Sequence, residues 1–123
     1  MIYGIGIDLV KIQRLKEVVE KWDRRFLEKV YTDSEIAYSY EKKDPYLSLA
    51  VRFAAKEALI KAIGFEMPVS PKDIEVVNLT GGKPSLKISG KLKRFFDEKG
   101  IRNAHLSLSH EKEYGVACVI VEG

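Results

Sequence analysis

Apolar and polar positions alternate from Ile2 to Asp8. Tyr3, Ile5 and Ile7 share one face, and Ile2, Gly4, Gly6 and Asp8 the other, which predicts a strand. From Val10 to Tyr31 the period becomes helical. Ile12, Leu15, Val18, Val19, Trp22, Phe26 and Val30 recur among charges, and the spacing predicts one amphipathic helix. Thr32 followed by Glu35 is a capping box that opens a second, shorter helix to about Glu41. Asp44-Pro45 interrupts it and restarts a third helix over Tyr46–Ile63, closed by Gly64.

The second half reads differently. Ile74–Leu79 and Ser85–Ser89 are strands joined by the turn Thr80-Gly81-Gly82-Lys83-Pro84. Lys91–Lys99 is a helix ended by Gly100, and Asn103–Ser109 and Val116–Val121 are strands joined by a polar loop. The order β-α-α-α-β-β-α-β-β predicts an α+β fold, a mostly antiparallel sheet packed against helices. With 123 residues, no internal repeat and no linker, residues 1–123 are expected to form one domain. Several helices with mixed faces around a modest core also suggest association into an oligomer.

Composition narrows the class. The chain is 46% hydrophobic and 32% charged, with mean hydropathy −0.16, which excludes a disordered or fibrous protein. Its one cysteine, Cys118, lies in the apolar run Val116–Val121 and reads as a small buried hydrophobe in a reducing compartment. No apolar run reaches the ~18 residues of a membrane span, and Met1 leads into Ile2–Val10 without a basic leader. The cytoplasm is the expected location. A net charge of +3 favours an acidic partner or a phosphate-rich ligand, yet falls short of an obligate nucleic-acid binder.

Several residues then stand out. Asp8 ends an apolar strand on the face where Gly4 and Gly6 leave room for something to approach the backbone; a strand-end or capping carboxylate is the plain alternative. Gly4-Ile5-Gly6 does not complete a dinucleotide fingerprint, because position 9 is Leu. The third helix is apolar on nearly every side yet carries Arg52, Lys56, Glu57 and Lys61. Glu57 and Lys61 are i,i+4 neighbours, and Arg52 with Lys56 forms a second stripe, about 140–180° away, that reads as a solvated strip or a functional one. On the strand His105-Leu106-Ser107-Leu108-Ser109-His110 the two histidines face opposite sides, which argues against a zinc site. No elbow motif supports a serine nucleophile; a strand-edge His and hydroxyls suit phosphate contacts. Asp8 and Glu57 near clustered Lys and Arg fit a hard divalent cation bridging phosphate oxygens. A small basic RNA-binding module is the competing reading, using Lys42-Lys43 and Lys91, Lys93 and Arg94, but no aromatic stacking strand accompanies them.

The opening Gly4-Ile5-Gly6-Ile7-Asp8-Leu9-Val10 with Arg14, the helix Arg52-Phe53-Ala54-Ala55-Lys56-Glu57-Ala58 continuing to Lys61-Ala62 and Gly64, the turn Gly82-Lys83-Pro84 and the strand His105–His110 together resemble the holo-[acyl-carrier-protein] synthase family, small bacterial 4′-phosphopantetheinyl transferases. The match extends over essentially the whole chain. The resemblance implies transfer of 4′-phosphopantetheine from coenzyme A to a serine of acyl carrier protein, supporting fatty acid biosynthesis; a transferase for another carrier is its nearest variant. It implies Mg²⁺ as cofactor, held by Asp8 and Glu57, with Glu57 and Lys61 catalytic. Arg52, Lys61, Gly64, Lys83, Pro84 and His105 would contact coenzyme A. Arg14, Arg24, Arg25 and Phe26 would dock the acidic carrier. The general base is left open between a metal-bound water and Glu57. The family is trimeric with sites at subunit interfaces, and neither nucleic acid nor membrane is an expected partner.

Overall fold

The computed structural model describes residues 1–123. In chain order it contains β1 (Ile2–Lys11), α1 (Ile12–Trp22), α2 (Arg24–Val30), α3 (Asp33–Tyr40) and α4 (Tyr46–Ala62). A single helical turn at Pro71–Asp73 leads to β2 (Ile74–Asn78), β3 (Pro84–Ile88), α5 (Gly90–Lys99), β4 (Asn103–His110) and β5 (Tyr114–Glu122). All strand pairings are antiparallel, but there are two sheets: a three-stranded one ordered β1-β5-β4 and the separate hairpin β2-β3. The α+β class and the order of strands and helical segments hold, with the single predicted sheet divided and the first predicted helix split in two.

Gly4 and Gly6 decide how the largest helix meets the sheet. A Cβ on either would stand 1.8 Å from a backbone carbonyl oxygen of α4, that of Ala62 for Gly4 and of Ala58 for Gly6. The room beside β1 is filled by α4 itself. Because the strand packs directly on the helix backbone, Asp8 on the same face is carried to the side of Glu57 and Lys61.

The main core lies between α4, the inner sheet face and the hairpin, with Ala54, Ala58, Leu59, Ile74, Leu92, Val119 and Val121 among its buried residues. Burial of each large aliphatic side chain contributes roughly 1.5–3 kcal/mol. A smaller cluster, Leu15, Val19, Leu27, Val30, Tyr31, Leu49 and Ala50, seats α1 and α2 on the other side of α4, with Ile36 of α3 packed against it.

Two further expectations are overturned. The predicted helix over Val10–Tyr31 is three pieces: β1 continues to Lys11, and Asp23, at φ 48°, separates α1 from α2. Periodicity missed the break because Leu15 and Val19 before it and Leu27 and Val30 after it enter the same small core. Cys118 is half-buried, because its partners Ile7 and Ser107 place it on the outer sheet face. The capping box is as expected: Thr32 Oγ1 accepts from Glu35 N at 3.3 Å, and Thr32 N donates to Glu35 Oε1 at 2.9 Å. No helix is long and apolar enough to cross a membrane.

Candidate active site

Asp8 and Glu57 share one cleft. It measures about 430 Å³ and is also lined by Leu9, Val10, Lys11, Arg14, Leu15, Val18, Phe26 and Phe53. Lys61 donates from Nζ to Asp8 Oδ1 at 2.9 Å and to the Ile7 carbonyl at 3.0 Å. Burial raises the Glu57 pKa, the Asp8 charge raises it further, and Lys61 partly offsets both. Two carboxylates therefore face the same space, with the Lys61 ammonium against Asp8.

That set fits a hard divalent cation. Lys61 engages Oδ1 of Asp8, while Oδ2 and both Glu57 oxygens meet no protein donor and remain available as hard oxygen ligands. No third carboxylate, histidine or cysteine joins them. Mg²⁺ typically takes one or two carboxylates and fills its other positions with water and phosphate oxygens, so two suffice.

Arg52 and Lys56 overturn the solvated-strip reading. Arg52 is 4% exposed and Lys56 1%, both enclosed where α4 meets α3 and β2. Lys56 Nζ lies 2.8 Å from Glu35 Oε1, and also donates to the carbonyls of Pro71 (2.9 Å) and Ile74. Glu35 in turn accepts from Val76 N at 2.9 Å. Burial lowers the Lys56 pKa, and the neighbouring Glu35 carboxylate partly offsets that shift. The capping-box motif located Glu35 but gave no signal that Oε1 also pairs with Lys56 of α4 or that Oε2 accepts from β2.

Arg52 donates to Ser48 Oγ at 2.9 Å and Asn78 Oδ1 at 2.8 Å, and its guanidinium lies 4.3 Å from the centre of the Tyr38 ring. Its buried Nε has no partner. Burial lowers its pKa, against the pull of Tyr38 and Glu35. A cavity of about 290 Å³ beside it is lined by Ser34, Tyr38, Val76, Val77 and Asn78. None of these neighbours was singled out from sequence.

The remaining residues divide between regions. His105 is exposed on the outer sheet face, its Nε2 2.6 Å from Glu122 Oε1, whereas Asp8 points inward. Lys83 and Pro84 form the β2-β3 turn and its exit, next to Asn78 through the pairing Asn78↔Pro84. Gly64, at φ 67°, follows Ile63, the C-cap of α4. Arg14 and Phe26 line the carboxylate cleft, but Arg24 borders a different cavity with Asp33 and Tyr40 and is paired to Glu28 at 3.3 Å. Arg25 is exposed beside Phe26.

Two carboxylates and a lysine at a cleft, with cationic groups elsewhere on the fold, suit a substrate that carries phosphate groups. Comparison with known proteins sharpens this. The family model of the 4′-phosphopantetheinyl transferase superfamily matches residues 4–119. A holo-[acyl-carrier-protein] synthase of Halothermothrix orenii is 47% identical over 123 residues, covering 99% of this chain and 98% of its own. One from Carboxydothermus hydrogenoformans is 48% identical over 120 residues, 97% of each chain. The holo-[acyl-carrier-protein] synthase structure from Neisseria meningitidis superimposes with a TM-score of 0.93 at 34% identity, covering 100% of both chains. That of Bacillus anthracis, in complex with coenzyme A (3′,5′-ADP), gives 0.80 at 38%, covering 98% of this chain and 96% of its own. The chain belongs to the 4′-phosphopantetheinyl transferase superfamily, a family of transferases.

Proposed function

We propose that this chain, residues 1–123 acting as one domain, transfers 4′-phosphopantetheine from coenzyme A to a serine of acyl carrier protein, releasing adenosine 3′,5′-bisphosphate. The observation that carries the reading is the Asp8–Lys61–Glu57 cluster opening onto a cleft that Arg14 and Phe26 also line. The near-full-length likeness to holo-[acyl-carrier-protein] synthases supports the same substrates.

Asp8 and Glu57 would hold Mg²⁺. When bound it supplies a positive centre that neutralises charge developing on the transferred phosphoryl group and its leaving group. Lys61 sits against a phosphate oxygen, and with Glu57 it acts on the reacting atoms. The cleft beyond Glu57, walled by Phe53, Phe26 and Val18, receives the carrier's serine-bearing segment and excludes water around it. Arg14 and Arg25 meet the carrier's acidic surface. Arg24, with its own carboxylate partner, contributes less.

The adenosine end falls to Arg52, Gly64, Lys83, Pro84 and His105. Gly64 shares a subunit's metal side; His105, on the opposite sheet face from Asp8, and with it Arg52, Lys83 and Pro84 would be supplied by a neighbouring subunit. The outer sheet face supports self-association, for which a homotrimer is the proposed form: Ile5, Ile7 and Leu9 are 60%, 61% and 64% exposed, beside half-buried Val116, Cys118 and Ile120. Such a contiguous apolar face calls for a covering partner. Supply of carrier for fatty acid synthesis in a reducing cytoplasm is the setting that suits this chemistry.

The test is twofold. Coenzyme A with Mg²⁺ raises the Tm while single-stranded RNA does not, and adenosine 3′,5′-bisphosphate is released only when apo carrier is present. A Tm rise with RNA alone would favour the basic RNA-binding module instead.

A further inference from the structure

Phe65 is a large aromatic side chain that neither the backbone nor the core explains. It is 67% exposed and belongs to neither apolar cluster. Its φ is +58°, directly after Gly64 at +67°, so two consecutive residues are left-handed and the second is not glycine. An aromatic residue there costs stability that Gly or Asn would spare. The conformation is held from both sides: Phe65 N donates to the Ile60 carbonyl at 3.2 Å, and Glu66 is fixed by Tyr3 Oη at 2.5 Å and Lys99 Nζ at 3.8 Å. A Cβ placed on Gly64 would meet nothing within 4 Å, so the surface beside the ring is open.

Its position gives it a task. β1 and α4 run antiparallel, with Gly6 at Ala58, Gly4 at Ala62 and Tyr3 at Glu66. Passing from Glu57 through Lys61 to Phe65 therefore leads away from Arg14 and the carrier cleft. In phosphoryl transfer the attacking and leaving oxygens lie roughly in line on opposite sides of phosphorus. If the serine arrives from the Arg14–Phe26 side, the nucleotide leaves toward Gly64 and Phe65.

We infer that Phe65 is a binding and specificity residue that packs its ring against the adenosine moiety of coenzyme A. This rests on the transfer reaction proposed above. None of Arg52, Lys83, Pro84 and His105 offers a Phe-like apolar ring, and base–aromatic stacking tolerates an exposed platform.

Phe65→Asn removes the ring while tolerating the left-handed backbone, and Phe65→Tyr keeps the ring. In the full-length protein, Phe65→Asn should weaken calorimetric binding of adenosine 3′,5′-bisphosphate and raise the KM for coenzyme A, each about tenfold. The kcat, the KM for carrier and the affinity for free 4′-phosphopantetheine should stay within about twofold, with Tm equal to or above wild type. Phe65→Tyr should restore nucleotide affinity. Unchanged nucleotide binding in Phe65→Asn overturns the inference, as does an equal loss for phosphopantetheine or a fall in Tm with loss of the oligomer. Wild-type protein in the same assays separates the two levels: if it fails to modify the carrier, the proposed reaction falls; if it succeeds while Phe65→Asn matches it, only the role of Phe65 falls.

Discussion

Asp8 and His105 stand on opposite faces of the same three-stranded sheet. Asp8 pairs with Ala117, whose side chain is buried toward α4, whereas His105 pairs with Ile120 on the outer face. Strand alternation keeps their side chains apart within one subunit. A site that uses both is completed by a second copy, and this leads to a complementation test. Asp8→Asn and His105→Ala chains, co-refolded in equal amounts, should regain activity that neither has alone. About one quarter of interfaces would pair intact halves if mixing is random. Proven mixed oligomers as inactive as their parents would place the site within one subunit.

Glu57 is expected to oppose folding at neutral pH. A carboxyl whose folded pKa lies above its ordinary 4.5 stabilises the fold fully below that value, and this contribution is lost as pH rises through the folded pKa. Glu57→Gln should therefore have a higher Tm than wild type at pH 7 without divalent ions, the gap closing in acid. Transfer should fall by about 10²–10³ in rate. A lower Tm at pH 7 would contradict the account of Glu57 as a half-buried carboxylate beside Asp8.

Gly6→Ala should separate the two halves of the site without touching its chemistry. The added methyl group would collide with the Ala58 carbonyl, backbone against backbone, so β1 or α4 must move. A destabilisation of about 2–4 kcal/mol in denaturant unfolding is expected, with loss of metal-dependent activity in whatever remains folded. Unchanged stability would mean the strand–helix contact is looser than described.

Much of this was legible in the chain. The capping box, the Gly100 stop at φ 71° and the alternation around His105 are local signals, and local geometry obeys them. Gly4 and Gly6 announced a close approach, but only the fold says that α4 makes it. The break at Asp23 was hidden because both flanking helices feed one core. The burial of Lys56 was hidden because its partner Glu35 lies on another helix and its other acceptors are main-chain carbonyls. Residue spacing carries no record of such long-range compensation.

Arg14 lines the cleft and Arg25 is exposed beside it, so charge reversal should act on the carrier. Arg14→Glu or Arg25→Glu should raise the KM for acyl carrier protein several-fold more than the KM for coenzyme A. The wild-type rate should also fall with ionic strength, because exposed charges steer association and are screened within about 10 Å at 0.1 M salt. Indifference of carrier KM to both reversal and salt would move the docking surface elsewhere.

The central claim is a transfer reaction, and the intact mass of the carrier reads it directly. Apo acyl carrier protein incubated with this protein, coenzyme A and Mg²⁺ should gain the mass of one phosphopantetheinyl group on its serine. A chelator should prevent the gain, and Asp8→Asn should reduce its rate by about 10²–10³. A carrier whose mass stays unchanged with wild-type protein under saturating coenzyme A and Mg²⁺ would contradict the account.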